Sequence, residues 1–195
     1  MEEIMKELMQ DKRVRKAMAY LQEDQEQMME DLLELVQIPA FSNHERKKAE
    51  AMRDKFTALG LQDVHMDEVD NVFGRLPGAG EGPKIMMAAH TDTVFPLDTP
   101  LVPQQKDGIW YAPGINDDTH GLADLLTMIR AIKASGLVFA GDVVFVPMWE
   151  RKVWGICVVS SISFGSPMIF QHLFLSIRRP WAGSCIARQA VPVTV

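Results

Sequence analysis

Two short segments hold the residues whose types and spacing could support metal chemistry. The segment AAHTDTVFP carries His90 and Asp92, and the segment APGINDDTHGLADLL carries the acidic pair Asp117 and Asp118. Imidazole nitrogen and carboxylate oxygen suit zinc, and one carboxylate can bridge two metal ions about 3.5–4 Å apart. His90 could therefore bind one metal and Asp117 both. Asp92, two residues after His90 in an extended segment, could hold the imidazole ring in orientation.

The same residues also have simpler explanations. A histidine at the end of a strand is more often held by hydrogen bonds than by a metal, and a lone His-x-Asp pattern is weak evidence. The acidic pair precedes a predicted helix, so Asp117 and Asp118 could cap that helix and complement its dipole. The local pattern leaves both interpretations open. His65 and His120 have no partner pattern, and we expect both to be structural or to face solvent.

Hydrophobic periodicity predicts the elements that would position these residues. Apolar residues at helical spacing predict helix from Glu2 to about Val36, a helix from Ser42, its predicted N-cap, to Leu59, and a helix from Thr119 to Gly136. Apolar runs bounded by turn residues predict strands over 64–69, 72–76, 85–89 and 143–146.

The order of these elements predicts an α/β fold. Strand, loop, helix and strand in succession favour a mainly parallel sheet flanked by helices, with the N-terminal helical segment added to it. Binding sites in open α/β sheets lie beyond the carboxyl ends of the strands. His90 follows a predicted strand and Asp117 lies in the loop before a helix. We therefore expect both side chains at this edge of the sheet.

Composition restricts the classes of function. A net charge of −6 argues against a nucleic-acid binder, because phosphate recognition needs a basic face. No charged-then-apolar signal segment opens the sequence, so cytoplasmic residence is expected. All 26 acidic residues fall at or before Glu150, and the following 45 residues hold five basic residues and no acid. An ordinary soluble surface mixes both signs, so this last stretch needs its own explanation.

Four motifs together resemble a known enzyme family. IPAFS, AAHTDTVFP, APGINDDTHGLA and GDVVFV follow one another at separations similar to those of the dizinc family of peptidase T, glutamate carboxypeptidase, acetylornithine deacetylase and aminoacylase. The resemblance covers about Leu32 to Val146. It implies that His90 is a metal ligand, that Asp92 is the catalytic-site aspartate behind it, and that Asp117 bridges two metals and is joined to Asp118 by a cis peptide bond.

The resemblance also implies chemistry and partners. Two zinc ions, or cobalt or manganese, would activate water between them, with a glutamate as general base. The substrate would be a small peptide or an N-acyl amino acid. Members of the family form homodimers through an inserted domain, which has no counterpart in this sequence. The fold implied is an incomplete zinc-peptidase catalytic domain that ends in an irregular tail.

The resemblance stops abruptly after the GDVVFV strand. The family places two consecutive glutamates there, whereas this chain reads PMWERKVW, with the single Glu150. Back-translation of Met148 onward with a shift of one nucleotide permits the string VGEEGLGDLRG, which restores both glutamates. We therefore divide the chain into residues 1–147, the N-terminal part of a metallopeptidase catalytic domain, and residues 148–195, an out-of-frame tail. As written, the chain is expected to be inactive.

Two alternatives remain at the level of sequence. The chain could be a metal-binding fragment without catalysis. It could also be a membrane-associated protein anchored by the apolar segment Phe164 to Ile177, although this segment is shorter than the roughly 20 residues that a spanning helix needs and contains Gln171 and His172.

Overall fold

A computed structural model describes residues 2–149, 151–153 and 156–158. Its helices are α1 Glu2–Leu8, α2 Lys12–Glu23, α3 Gln25–Val36, α4 Arg46–Ala58 and α5 His120–Ser135. Its strands are β1 Gln62–Met66, β2 Val72–Leu76, β3 Ile85–His90, β4 Gln104–Lys106, β5 Ile109–Tyr111, β6 Val143–Met148, β7 Arg151–Val153 and β8 Ile156–Val158. An irregular turn, Ile115–Thr119, leads into α5.

The N-terminal helical segment is divided into three helices. Asp11 caps α2 by accepting hydrogen bonds from the backbone amides of Arg13 at 2.7 Å and Val14 at 3.4 Å. Asp24 separates α2 from α3. The predicted N-cap at Ser42 is wrong, because α4 begins at Arg46 and the Ser42 hydroxyl donates instead to the carboxylate of Asp92 at 3.3 Å.

The α/β class is confirmed, but the main sheet is mixed rather than mainly parallel. Its strand order is β1-β2-β6-β3, and only the β3–β6 pair is parallel. The short turn between β1 and β2, held by the Asp67 carboxylate on the amides of Val69 and Asn71, allows only a hairpin. A crossover that contains α5 connects β3 to β6, and such a connection permits parallel pairing.

Strand β6 is the centre of the sheet and of the core. Its side chains alternate, so that Val143 and Phe145 join the cluster beneath α4 and α5, whereas Val144 and Val146 join a smaller cluster on the opposite face. The ring of Phe145 meets that of Phe56 from α4 edge to face, with centroids 6.4 Å apart. The helices therefore hold β6, and through it the neighbouring β3, in a fixed place.

A buried ionic cluster fastens the N-terminal helices to the rest of the fold. Arg130 of α5 donates to Asp24 and to Asp31, each at 2.7 Å. Lys55 of α4 donates to the other oxygen of Asp31 at 2.9 Å and to Glu34 at 2.6 Å. Both aspartates are less than a tenth exposed. Asp31 thus links three helices, which the sequence pattern did not indicate.

The described sheet continues past the predicted end of the family-like part. Met148, the first residue assigned to the tail, still belongs to β6 and lies opposite His90, and the amide of Trp149 donates to the side chain of Asn71 at 2.8 Å. The predicted apolar segment 164–177 lies outside the described residues. No helix among those described is both long and apolar enough to cross a membrane.

Candidate metal centre

His90 lies at the carboxyl end of β3, beside the matching end of β6. His90 and Met148 are neighbours in the parallel register, and the next residue, Thr91, donates its amide to the Met148 carbonyl at 2.8 Å. The start of the site is therefore fixed by the sheet, as expected from the position of His90 after a strand. The His90 side chain is mostly buried, with 13% of its surface exposed.

Asp117 reaches the same place from the irregular turn before α5. The turn begins after Gly114, which has a φ of 74°, and a side chain there would crowd Thr93 at 3.0 Å. The peptide bond between Asp117 and Asp118 is cis, as the family resemblance implied. The turn presents Asp117 to solvent, with a side chain that is 61% exposed.

The two predicted ligands meet directly. His90 Nε2 lies 2.9 Å from Asp117 Oδ1. The other ring nitrogen, Nδ1, lies 3.2 Å from Asp92 Oδ1 and 3.1 Å from the Asp92 carbonyl oxygen. Asp92 is 2% exposed and therefore cannot turn away to water. The three residues chosen from the sequence form one row, in which a buried carboxylate, an imidazole and an exposed carboxylate follow one another.

Asp118 has a different part from Asp117, although the two are adjacent. Its Oδ2 accepts a hydrogen bond from the His90 amide at 3.1 Å, and its carboxylate packs closely against Gly121 in the first turn of α5. Burial raises the pKa of the Asp118 carboxyl, while the nearby His90 opposes that shift. The two adjacent aspartates therefore point to different groups: Asp118 faces the His90 amide and the first turn of α5, and Asp117 faces the His90 imidazole.

Three further polar residues support the site and were not assigned by the sequence. Ser42 donates to Asp92 Oδ2, as described above. Glu45 and Lys48, at the start of α4, are 4% and 1% exposed. The electrostatic field of Asp92 acts on both of them. Ser42 is the last residue of the IPAFS motif, and Glu45 and Lys48 follow it, but the likeness of this motif to the family carried no information about which polar side chains become buried.

The burial of Lys48 should make stability depend on pH. Burial lowers the pKa of Lys48 to about 8, and the negative charge of Asp92 opposes this shift with a smaller effect. Glu45 is a second buried carboxylate in this region. Unfolding then takes up a proton between about pH 8 and pH 10.5, so the free energy of unfolding should rise across this range by up to about 3 kcal/mol. Urea unfolding at a series of pH values measures this rise. Lys48→Met should abolish it, and an unchanged rise in that variant would contradict the assignment.

His90 and Asp117 would supply two of the four ligands of a tetrahedral zinc site. Imidazole nitrogen and carboxylate oxygen converge, and the second ring nitrogen of His90 faces an orienting carboxylate, as in carboxylate–histidine–zinc arrangements. Within the described residues no group of three or more His, Cys, Asp or Glu side chains is arranged to hold a metal. His120 pairs with Asp124 at 3.2 Å on α5, and His65 stacks on Phe73.

Comparisons with known proteins find related sequences and structures among peptidases. Residues 86–148 match the model of peptidase family M20/M25/M40. The aminopeptidase PepT from Bacillus cereus is 29% identical and superposes with a TM-score of 0.55 over 63% of this chain and 36% of its own. A tripeptidase from Staphylococcus aureus is 32% identical, with a TM-score of 0.53 over 62% of this chain and 35% of its own.

The curated relatives extend well beyond the matched region. The succinyl-diaminopimelate desuccinylase of Leptothrix cholodnii is 34% identical over 83 residues, which are 40% of this chain and 22% of that protein. An uncharacterised Bacillus subtilis protein, YqjE, is 28% identical over 126 residues, 58% of this chain and 33% of its own. The chain thus spans about a third or less of these relatives. The predicted resemblance is confirmed: residues 86–148 of this chain match the model of peptidase family M20/M25/M40, and solved peptidases share its fold.

Proposed function

We propose that this chain supplies the front part of the active site of a metal-dependent exopeptidase or N-acyl amino acid amidohydrolase. The observation that carries the proposal is the approach of His90 Nε2 to Asp117 Oδ1 at 2.9 Å, with Asp92 on the opposite ring nitrogen. The similarity to a PepT aminopeptidase, a tripeptidase and a desuccinylase supports a substrate with a peptide or amide bond.

Each residue has a distinct part in the proposed site. Asp92 accepts a hydrogen bond from the Nδ1–H of His90, which leaves the Nε2 lone pair available as a ligand. Asp117 offers two carboxylate oxygens, so it could serve two ions. Zinc, or cobalt or manganese in its place, would supply Lewis acidity and a water of lowered pKa. Asp118 holds the His90 amide and so fixes the end of β3.

The proposal includes inactivity of the chain as written. A general base is needed, and the family resemblance places a glutamate pair just beyond β6, where this sequence has only Glu150. We propose that residues 148–195 are an out-of-frame tail, since restoring one nucleotide permits the missing glutamates. A cytoplasmic location and small peptide or N-acyl amino acid substrates remain part of the proposal.

Metal affinity tests the roles of His90 and Asp92. His90→Ala removes a ligand and should abolish measurable binding of Zn²⁺ or Co²⁺ by calorimetry. Asp92→Asn changes only the orientation of the ring, so it should weaken binding by about 10–100-fold and less than His90→Ala does. His65→Ala, at an exposed histidine stacked on Phe73, is the matched control and should bind as the parent chain does.

Two outcomes would count against these assignments. Tight zinc binding that survives His90→Ala would remove His90 from the site. A loss from Asp92→Asn as large as that from His90→Ala would indicate that Asp92 coordinates the metal directly.

A further inference from the structure

Strand β3 is the last strand of the main sheet. The strand order is β1-β2-β6-β3, so among the described strands β6 pairs with one edge of β3 and none pairs with the other, which we call the open edge. Ile85 is 39% exposed and Ala88 is also exposed, whereas every residue of β6 is buried. An edge of this kind presents backbone donors and acceptors that another strand can use.

The backbone of β3 alternates between its two edges. Residues with odd numbers face β6, since the amides of Ile85 and Thr91 donate at 2.9 and 2.8 Å to carbonyls of β6 and of the residue before it. Residues with even numbers face the open edge, because successive residues of a strand point their N–H and C=O groups in opposite directions. Met86 and Ala88 therefore present their amides and carbonyls to the open edge.

The open edge ends at the candidate metal centre. There the outward amide of His90 already donates to Asp118, so this position does not accept a further strand. Residues 85–89 are all apolar and include neither a proline nor a charge, the usual devices that keep an edge strand from pairing. The opposite edge of the sheet has such devices, because β1 carries an irregular register and the exposed Asp63.

We propose that two copies of this chain pair through the open edges of their β3 strands. An antiparallel pair centred on Met87 places Met86 opposite Ala88 of the second copy, where the two residues can exchange both of their backbone hydrogen bonds. Two-fold symmetry repeats this exchange, so one continuous sheet runs through both copies. The side chains that face each other across the contact are apolar, which favours the pairing.

Charge complementarity favours a second copy as the partner. In this register the exposed Lys84 of each copy lies opposite His90 of the other and on the same face of the sheet. This is the face on which Met86 packs, away from α4 and α5. The carboxylate of Asp117, whose side chain is 61% exposed, lies 2.9 Å from the His90 ring. Lys84 therefore brings a positive charge to the exposed carboxylate of the other copy.

Sedimentation equilibrium of the full chain in EDTA tests the pairing. The parent chain should form a dimer of twice 21.9 kDa and nothing larger, because each copy has one open edge of this kind. Ala88→Pro removes an outward N–H and leaves the bonds to β6, so it should weaken the dimer by about 10–100-fold. Ala88→Val adds similar bulk, keeps the amide, and should dimerise as the parent chain does.

Three results of this experiment would overturn the proposal. The parent chain could remain a monomer at every soluble concentration, as it would if its own residues beyond 158 covered the open edge. It could form assemblies that grow beyond the dimer, which an apolar tail would cause. The two Ala88 variants could also have equal dissociation constants.

A charge exchange tests the register and does not depend on the folding of Ala88→Pro. Lys84→Glu and Asp117→Lys should each weaken the homodimer by about 10-fold, because each variant brings like charges together twice. Mixed in equal amounts, the two variants should form a heterodimer as tightly as the parent chain dimerises, since both contacts then join opposite charges. Lys106→Glu, at an exposed position of β4, is the matched control and should not rescue Asp117→Lys.

The absence of a heterodimer in the first mixture, or an equal rescue by Lys106→Glu, would refute this register and with it the proposal. The inference is independent of the proposed function, because both experiments are made without metal. A chain that binds no metal can still dimerise through β3, and a monomeric chain leaves the candidate metal centre unaffected.

Discussion

Restoring one nucleotide near the codons for Val146 to Met148 is expected to turn an inactive chain into an active hydrolase. Translation would then run through VGEEGLGDLRG and would place two glutamates just beyond β6. In the structure the end of β6 lies beside His90, because Met148 and His90 are neighbours in the parallel register. The first glutamate would stand where a general base is needed, next to the two predicted ligands.

The size of this effect follows from the chemistry. General-base catalysis contributes about 10²–10⁴-fold, and the restored second glutamate would add a metal ligand as well. Both versions of the chain, supplied with zinc or cobalt, should be assayed on a panel of dipeptides and N-acyl amino acids. A repaired chain with glutamine in place of the first glutamate is the matched control. Comparable activity in the unrepaired chain would refute the out-of-frame interpretation of the tail.

Arg130→Met is expected to destabilise the protein more than any surface substitution. The arginine is the common partner of Asp24 and Asp31, which are both nearly inaccessible to water. Its removal leaves Asp24 without this partner and Asp31 with only Lys55. Breaking a buried ion pair from one side typically costs about 3–5 kcal/mol, because a buried charge is left uncompensated.

Urea unfolding measures this loss. Arg46→Met is the matched control, since Arg46 also contacts two carboxylates, those of Glu50 and Asp70, but is 67% exposed. It should cost less than about 1 kcal/mol. A loss in Arg130→Met no larger than that in Arg46→Met would mean that the N-terminal helices do not depend on the buried cluster.

The sequence predicts the elements whose signals are local. The strand before His90 and the helix that ends at Gly136 have apolar patterns and stop residues that do not depend on distant contacts. The relation of His90 to Asp117 was predicted by placing both at the carboxyl ends of strands and by the family resemblance. Their contact at 2.9 Å agrees with that placement.

The features that the sequence did not predict depend on distant contacts. Serine is common at N-caps, but the hydroxyl of Ser42 donates to Asp92, fifty positions further along the chain. Lys48 has the residue type of an exposed helical position and is buried, because the segment around Ala40 is tied to that around Thr93. The guanidinium of Arg130 donates to Asp24, which lies 106 positions earlier in the chain. The hydrophobic periodicity of a single sequence carries no information about such long-range contacts.

The metal centre can be tested most directly by locating the metal. Crystals of the chain soaked in a zinc salt should give an anomalous difference peak at the zinc edge beside His90 Nε2 and Asp117, with zinc–ligand distances of about 2.0–2.2 Å. The pair His120 and Asp124 offers the same two ligand types on α5 and serves as the internal comparison. A peak at His90 and Asp117 is the result that we expect. A peak only at His120 and Asp124, or no peak at His90, would contradict the proposed site.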